Sequence, residues 1–274
     1  METVEIKDLV RARYGEIATT ASCCRAGTES SATVNAKALD MGYTADQLAA
    51  VPEGANLGLG CGNPQAIADL MPGEIVVDLG SGAGFDCLLA APMVGPSGRV
   101  IGVDMTHEML AKARANAARL GATNVEFRLG EIEHLPIADA IADVVISNCV
   151  VNLVPDKAQV FREAARVLKP GGRLAISDVV NTAPLPEDLR SDPALLCGCV
   201  SGAVPAERIE GLLRAAGFTD IDIDVKPGSR DMVAAWAPGR GVENCVAAAM
   251  IRARKPEAGA AVTASAAPAR ACCG

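Results

Sequence analysis

From residue 75 onward the chain alternates short β-branched or aliphatic runs with segments of helical period, and this alternation limits the possible folds more than any other feature. Ile75-Val76-Val77-Asp78 reads as a buried strand and Phe85 to Val94 as a helix. Arg99 to Asp104 is a second strand, and Thr106 to Leu120 a helix stopped by Gly121. Asn124 to Arg128 and Asp143 to Ser147 are further strands. Asp156 opens a helix whose apolar positions 160, 161, 164, 167 and 168 follow the period of a helix lying on a sheet. Pro170-Gly171-Gly172 ends it, and Arg173 to Ser177 is a fifth strand. Strands separated by helical crossovers run parallel, so the spacing predicts an α/β fold: a doubly wound, mostly parallel sheet covered on both faces.

The flanks are less regular. Residues 2–20 read as a helix, Thr19 to Thr33 as a polar loop holding Cys23 and Cys24, and 35–51 as a helix broken near Gly42. Gly54 to Pro64 is a glycine-rich loop around Cys61. After residue 180 short helices are predicted over 187–200 and 205–216, an antiparallel strand pair over 219–226 and 231–236, and an amphipathic helix over 243–254. Beyond Lys255 the chain is mostly Ala, Gly, Pro, Ser and Thr, a composition that predicts disorder, and it ends in Cys272-Cys273-Gly274. Lys+Arg 25 against Asp+Glu 33 leaves a net charge of −8, which argues against nucleic acid or an anionic membrane as partner. No apolar run approaches the roughly 18 residues of a membrane helix. The first residues carry both charge signs without a signal-peptide apolar stretch, and nothing forces an oligomer, so the expectation is a soluble, cytoplasmic monomer.

Asp78-Leu79-Gly80-Ser81-Gly82-Ala83-Gly84 joins the first strand to its helix. Glycines there let the backbone turn sharply and approach a ligand at a helix N-terminus, where N–H groups are free. A dinucleotide fingerprint, G-x-G-x-x-G, would need glycine where Phe85 stands. The form D-x-G-x-G-x-G, with Asp104 closing the second strand, instead resembles the loop of S-adenosylmethionine-dependent methyltransferases. On that resemblance Asp78, Gly80, Ser81, Gly82 and Gly84 shape the cofactor loop and Asp104 holds both ribose hydroxyls. Met105 packs on the adenine, Ile132 covers its other face, and backbone groups near Glu131 and Glu133 read the base edge. A sulfonium cation suits an acidic neighbour such as Asp78 better than a pyrophosphate does. Tyr14 and Gly15 reach toward this cofactor from the N-terminal helix.

Ten cysteines in a chain without an export signal are expected to stay reduced. No C-x₂-C pair exists and there are two histidines, which argues against a structural zinc site of the usual spacing. Cys149 follows the fourth strand directly, and in a doubly wound sheet that strand lies beside the first at the switch point where ligands bind. Cys61 is flanked by Gly60 and Gly62, and Cys199 lies in Cys197-Gly198-Cys199-Val200-Ser201-Gly202-Ala203, so both sit on flexible backbone. Cys87 on a helix face and Cys245 on the late helix read as packing residues. His107 and His134 read as surface or locally hydrogen-bonded groups, which leaves no histidine as a general base.

Six stretches, together spanning most of residues 1–215, resemble arsenite methyltransferases: GLGCGNP at 58–64, DLGSGAGFD at 78–86, GVDMT at 102–106, SNCVVNLVPDK at 147–157, RVLKPGG at 166–172 and CVSGA at 199–203. The resemblance implies a class I methyltransferase, Rossmann-like sheet with its S-adenosylmethionine-binding core at 65–180 and an added C-terminal α+β arsenic-binding region at 181–254. It further implies an N-terminal helical and loop segment at 1–64 carrying Cys23, Cys24 and Cys61, and a tail at 255–274. The implied reaction is methyl transfer to trivalent arsenic held by Cys61, Cys149 and Cys199, giving mono-, di- or trimethylated products from arsenite or its thiol conjugate. A fourth family cysteine maps to Cys23 or Cys24, with Cys24 preferred, and can pair with Cys61 as a disulfide that glutathione or thioredoxin reopens. Cys272-Cys273 resembles the vicinal pairs that capture arsenite in some members. Two rival classes remain: a small-molecule C- or O-methyltransferase of the quinone-biosynthesis type with structural cysteines, and a thiol-based metal-sequestering protein. The intact loop and Asp104 argue against the second, which needs neither.

Overall fold

Val76, Val77, Asp78 and Leu79 are buried on both faces of their strand, as a parallel strand roofed by helices requires. The structure, a computed structural model, describes residues 3–20 and 30–259. Helix α1 (Thr3–Thr20) leads, followed by α2 (Ser31–Asp40), whose N-terminus is capped where the Ser30 hydroxyl accepts the Thr33 N–H. Left-handed Gly42 (φ 93°) breaks the chain before α3 (Ala45–Ala49), which Thr44 and Gln47 open as a capping box. The one-turn helix α4 (Gln65–Ala68) follows the Cys61 loop.

The alternating unit comprises β1 (Ile75–Leu79), α5 (Phe85–Val94), β2 (Arg99–Asp104), α6 (His107–Leu120), β3 (Val125–Leu129), β4 (Ala142–Asn148), α7 (Lys157–Val167) and β5 (Leu168–Asn181). Beyond it come α8 (Glu187–Arg190), α9 (Pro193–Cys197), β6 (Val204–Pro205), α10 (Ala206–Ala215), β7 (Thr219–Lys226), α11 (Arg230–Ala234) and β8 (Val246–Arg254). The sheet has eight strands in the order β3-β2-β1-β4-β5-β8-β7, with β6 paired to β5. Pairs β1–β2, β1–β4, β2–β3 and β4–β5 are parallel, and β8 runs antiparallel to both neighbours. This is the class I methyltransferase, Rossmann-like arrangement. Val77, Leu79, Ile101 and Val103 face a core filled by Phe161 and Leu213, while Val76, Val100 and Ile146 face Leu88 and Leu110.

Two C-terminal expectations are corrected. Residues 243–254 are not an amphipathic helix: Val246–Arg254 is strand β8, wedged between β5 and β7. Cys245 therefore precedes a strand instead of riding a helix. Ala247-Ala248-Ala249-Met250 has strong helix propensity, but Val246 to Ala249 are all buried, and pairing on both edges overrides propensity. The partner of 219–226 is this strand, whereas 231–236, whose alternation was too short to decide, begins in helix α11. Residues 219–254 thus complete the same sheet as the core. No helix among the described residues is long and apolar enough to cross a membrane.

Ile251, 2% exposed in the middle of β8, packs into the main core. Ile251→Ala is expected to cost about 2–5 kcal/mol, read as a lowered urea midpoint at unchanged m-value; a loss below about 1 kcal/mol would contradict a central strand here.

Candidate active site

Register fixes the site. Leu79 pairs with Ser147 across β1 and β4, so the glycine loop and the Asn148-Cys149 turn emerge side by side at the carboxyl end of the sheet. Above them lies a cleft lined by Asp78, Gly80, Ser81, Gly82, Asp104, Met105, Ile132, Glu133 and Cys149. Gly84 stands behind it, where a Cβ would meet the Phe127 ring at 2.8 Å. Gly80 sits at φ 71°, and a Cβ there would strike the Val150 side chain at 2.5 Å, so backbone and β4 turn approach too closely for any other residue.

Four N–H donors of this loop are already spent. The N–H groups of Gly80 and Ser81 both go to the Val103 carbonyl (2.8 and 3.0 Å), that of Gly84 to the Ser81 carbonyl (2.8 Å), and that of Gly82 to Asp104 Oδ2 (2.9 Å). A pyrophosphate needs such N–H groups unpaired, so the loop is unsuited to a dinucleotide. Asp104 Oδ1 accepts the Thr106 N–H at 2.8 Å, which fixes the carboxylate with lone pairs left for a vicinal diol. The Ser81 hydroxyl is buried, lines the cleft and has no partner within the protein, so it is placed to bond a ligand. Asp78 is buried; its Oδ2 accepts the Cys87 thiol at 3.2 Å, and burial together with the Asp86 charge pushes its pKa well above the usual carboxylate range. A cation in the cleft would relieve that cost. Cys87 is buried as expected and also supplies this hydrogen bond.

Helix α1 closes the cleft with Lys7, Val10 and Tyr14. Lys7 Nζ pairs with Glu131 (2.6 Å) and Glu133 (3.1 Å) beyond β3, and the Tyr14 hydroxyl donates to the Cys197 carbonyl at 3.2 Å, on the way to Cys199. Gly15 does not line the cleft; it faces Glu108 of α6.

At the inner end of the cleft the thiols gather. Cys61, Cys149 and Cys199 are all buried. Sγ of Cys61, Sγ of Cys149 and a carboxylate oxygen of Asp178 lie within 4.8 Å of one another, the closely spaced donor group among the described residues. Cys199 joins through a different bond, its thiol donating to the Cys149 carbonyl at 2.8 Å. Cys149 and Cys199 both hold left-handed backbone, φ 59° and 65°, a conformation that costs a non-glycine residue about 1–2 kcal/mol. Hydrogen bonding to Cys199 and Cys61, with burial, pushes the Cys149 thiol well up. The bond to Cys149 pulls Cys199 down, but burial and the Asp178 charge outweigh it and leave this thiol at about 11. Cys23, Cys24, Cys272 and Cys273 lie outside the described residues.

Several participants escaped the sequence reading. The Asn148 side chain accepts the Cys61 N–H (3.1 Å) and donates to the Gly62 carbonyl (2.9 Å), Tyr43 (3.0 Å) and Asp86 (3.2 Å). Tyr43 in turn donates to Asp86 at 2.7 Å. Asp178, raised to about 6 by burial, follows the predicted fifth strand directly, so the switch-point argument that found Cys149 could have found it too. His107 and His134 are exposed, away from these groups.

A family profile described as a methyltransferase domain matches residues 70–217. The arsenite methyltransferase of Halobacterium salinarum is 51% identical over 267 residues, 92% of this chain and 67% of that protein. The human arsenite methyltransferase is 42% identical over 152 residues, 52% of this chain and 40% of its own length, so the chain spans less than half of that relative. The crystal structure of CrArsM, an arsenic(III) S-adenosylmethionine methyltransferase from Chlamydomonas reinhardtii, superposes with a TM-score of 0.59 at 35% identity, covering 82% of this chain and 73% of that one.

A cationic ligand in the cleft favours the ionised form of the Asp78–Asp86 pair, whose pKa values burial raises without it. Binding of S-adenosylmethionine should therefore release protons, and affinity should fall as pH drops through the raised range, by up to about tenfold per unit. Calorimetry in buffers of different ionisation enthalpy reads the release; proton uptake would contradict it. Asp78→Asn should flatten the profile.

Proposed function

Because this chain belongs to the arsenite methyltransferase family, we propose that it transfers the methyl group of S-adenosylmethionine to trivalent arsenic held on its buried thiols. The observation that carries this reading is Cys149: it lines the cofactor cleft and at the same time stands within 4.8 Å of Cys61. In this reading residues 65–180 hold the donor, 1–64 supply Cys61 and 181–254 supply Cys199.

Bound in the cleft, S-adenosylmethionine supplies a methyl group activated on a sulfonium cation. Asp104 would hold the ribose diol, Met105 and Ile132 would flank the adenine, and Asp78 would meet the cationic end. Arsenic(III) is soft and prefers thiolates. Cys61, Cys149 and Cys199 would bind it as thiolates, their protons leaving as the bonds form. The Cys199 thiol must first turn away from the Cys149 carbonyl it now bonds. Three thiolates leave the arsenic lone pair as nucleophile, so displacement at the methyl group needs no general base. What the protein contributes is position, an effect worth roughly 7 kcal/mol or more.

Methyl transfer formally oxidises arsenic by two electrons. Two thiolates joining as a disulfide return those electrons, and we assign this to Cys61 with Cys24, the bond being reopened by glutathione or thioredoxin.

Cys149→Ser should lower methylation of arsenite by at least about 100-fold in an assay with labelled S-adenosylmethionine and excess thiol, while binding of the donor persists in calorimetry. Unchanged activity would hand the case to a small-molecule methyltransferase with structural cysteines. Cys24→Ser should complete one methyl transfer per chain and then stall, seen as a single-turnover burst; steady turnover in both the Cys23 and Cys24 variants would sink the disulfide step.

A further inference from the structure

The donor set at the end of the cleft holds a carboxylate oxygen beside the thiols. Cys61 Sγ, Cys149 Sγ and an Asp178 oxygen form the mutually close group, all three residues buried. The Asp178 carboxylate is fixed in place: Oδ1 accepts the Asn152 amide and the Val179 N–H, both at 2.8 Å, Oδ2 accepts the Asn152 N–H at 3.3 Å, and the Val151 N–H also bonds this carboxylate. Cys199 lies next to Cys149 but outside that mutually close group, its S–H donating to the Cys149 carbonyl at 2.8 Å. Nearby, the Lys157 ammonium is buried and donates to the carbonyls of Val154 (3.1 Å) and Asn152 (3.5 Å).

Charge decides what such a set prefers. Two thiolates and a carboxylate carry three negative charges, and Lys157 returns one positive. The remainder of two is cancelled by a divalent cation and by no monovalent or trivalent one. Ligand type narrows it further: two sulfurs and one oxygen repel the hard cations, which want oxygen alone, and suit the borderline-soft Zn²⁺, which takes thiolate and carboxylate together. Arsenic(III), by contrast, needs Cys199 as a third thiolate and has no use for Asp178.

We propose that Cys61, Cys149 and Asp178 form a binding site for Zn²⁺, which takes two of the thiols arsenic requires and so competes with it. Binding releases the thiol protons of Cys61 and Cys149 to solvent, with Cys199 or a water filling the fourth position. The Zn²⁺ site stands on these residues alone; the competition rests on the arsenic reading above.

The test uses the whole chain, reduced with a phosphine and freed of metal. Titration with Cd²⁺, whose thiolate charge-transfer band reports sulfur ligation, and with Zn²⁺ against a chromophoric chelator should show one tight equivalent. Asp178→Asn, near-isosteric, should weaken Zn²⁺ by at least about tenfold with the melting temperature and far-UV spectrum of a folded chain. Cys245→Ser, outside the cluster, should bind as the parent does. Wild-type affinity in Asp178→Asn, or a full equivalent retained by Cys61→Ser with Cys149→Ser, overturns the site and moves the metal to other cysteines. In methylation assays Zn²⁺ should raise KM for arsenite and leave kcat alone; a fall in kcat at constant KM overturns the competition. A chain that holds Zn²⁺ through Asp178 yet leaves arsenite unmethylated supports the site and refutes the arsenic reading.

Discussion

The Asn148 side chain is the joint on which the site depends. It leaves the end of β4 and ties two separate segments to the sheet: the Cys61 loop through the Cys61 N–H and the Gly62 carbonyl, and the start of α5 through Asp86. Two amide protons are shared among three acceptors, and Tyr43 closes the ring by donating to Asp86. Each of these groups is buried or nearly so, and a buried polar group left without its partner costs about 1–3 kcal/mol, so the bonds form together or not at all. The consequence is geometric. The loop that carries Cys61 has no secondary structure of its own and would wander; bonded to the residue just before Cys149, it delivers its sulfur to within 4.8 Å of that cysteine's. A Cβ on Gly60 would lie 2.7 Å from the Asn148 amide and one on Gly62 2.3 Å from the Ser177 hydroxyl, which is why glycine brackets the cysteine on both sides.

Strain is concentrated at the same place. Cys149 and Cys199 are two of the few non-glycine residues with positive φ, and asparagine or glycine would tolerate the conformation better. Cys149 is held there by its N–H to the Ser177 carbonyl at 2.8 Å, and Cys199 by its N–H to the Leu196 carbonyl at the end of α9. In an extended conformation neither residue would point its sulfur back across the carboxyl end of the sheet. The backbone cost therefore serves to aim the thiols.

The parallel sheet was legible because its signal is local: Ile75-Val76-Val77, Arg99 to Asp104 and the period of Lys157–Val167 each state their element within a few residues. Cys149 was legible because topology alone puts the residue after β4 beside the residue after β1. Asn148 was not, because its importance lies in Asp86, 62 residues away, and no spacing rule connects them; Asp178, directly after the predicted fifth strand, was within reach of the same topological argument. Strand β8 was misread for a related reason: an alanine run is helical by propensity, and only the two strands that pair with it make it extended. The glycine loop shows a subtler gap. Its pattern announced a ligand loop, but that the N–H groups of Gly80, Ser81 and Gly82 were spent on Val103 and Asp104, and so were denied to a phosphate, could be seen only once β1 and β2 were paired.

One thiol separates the chemical states this site can adopt. With Cys199 bonded to the Cys149 carbonyl, the near donors are two sulfurs and the Asp178 oxygen beside the Lys157 charge. In the proposed reading, turning that single S–H and ionising it would add a third unit of thiolate charge, and three thiolates would neutralise a trivalent centre while Asp178 and Lys157 neutralise each other. Cys199 sits on left-handed backbone between Gly198 and the buried Val200, so a rotation of its Cα–Cβ bond alone would move the sulfur while the packed valine stays in place. On the reading proposed above, a divalent ion would be held by two thiols and the carboxylate, whereas a trivalent thiophile would gather all three thiols.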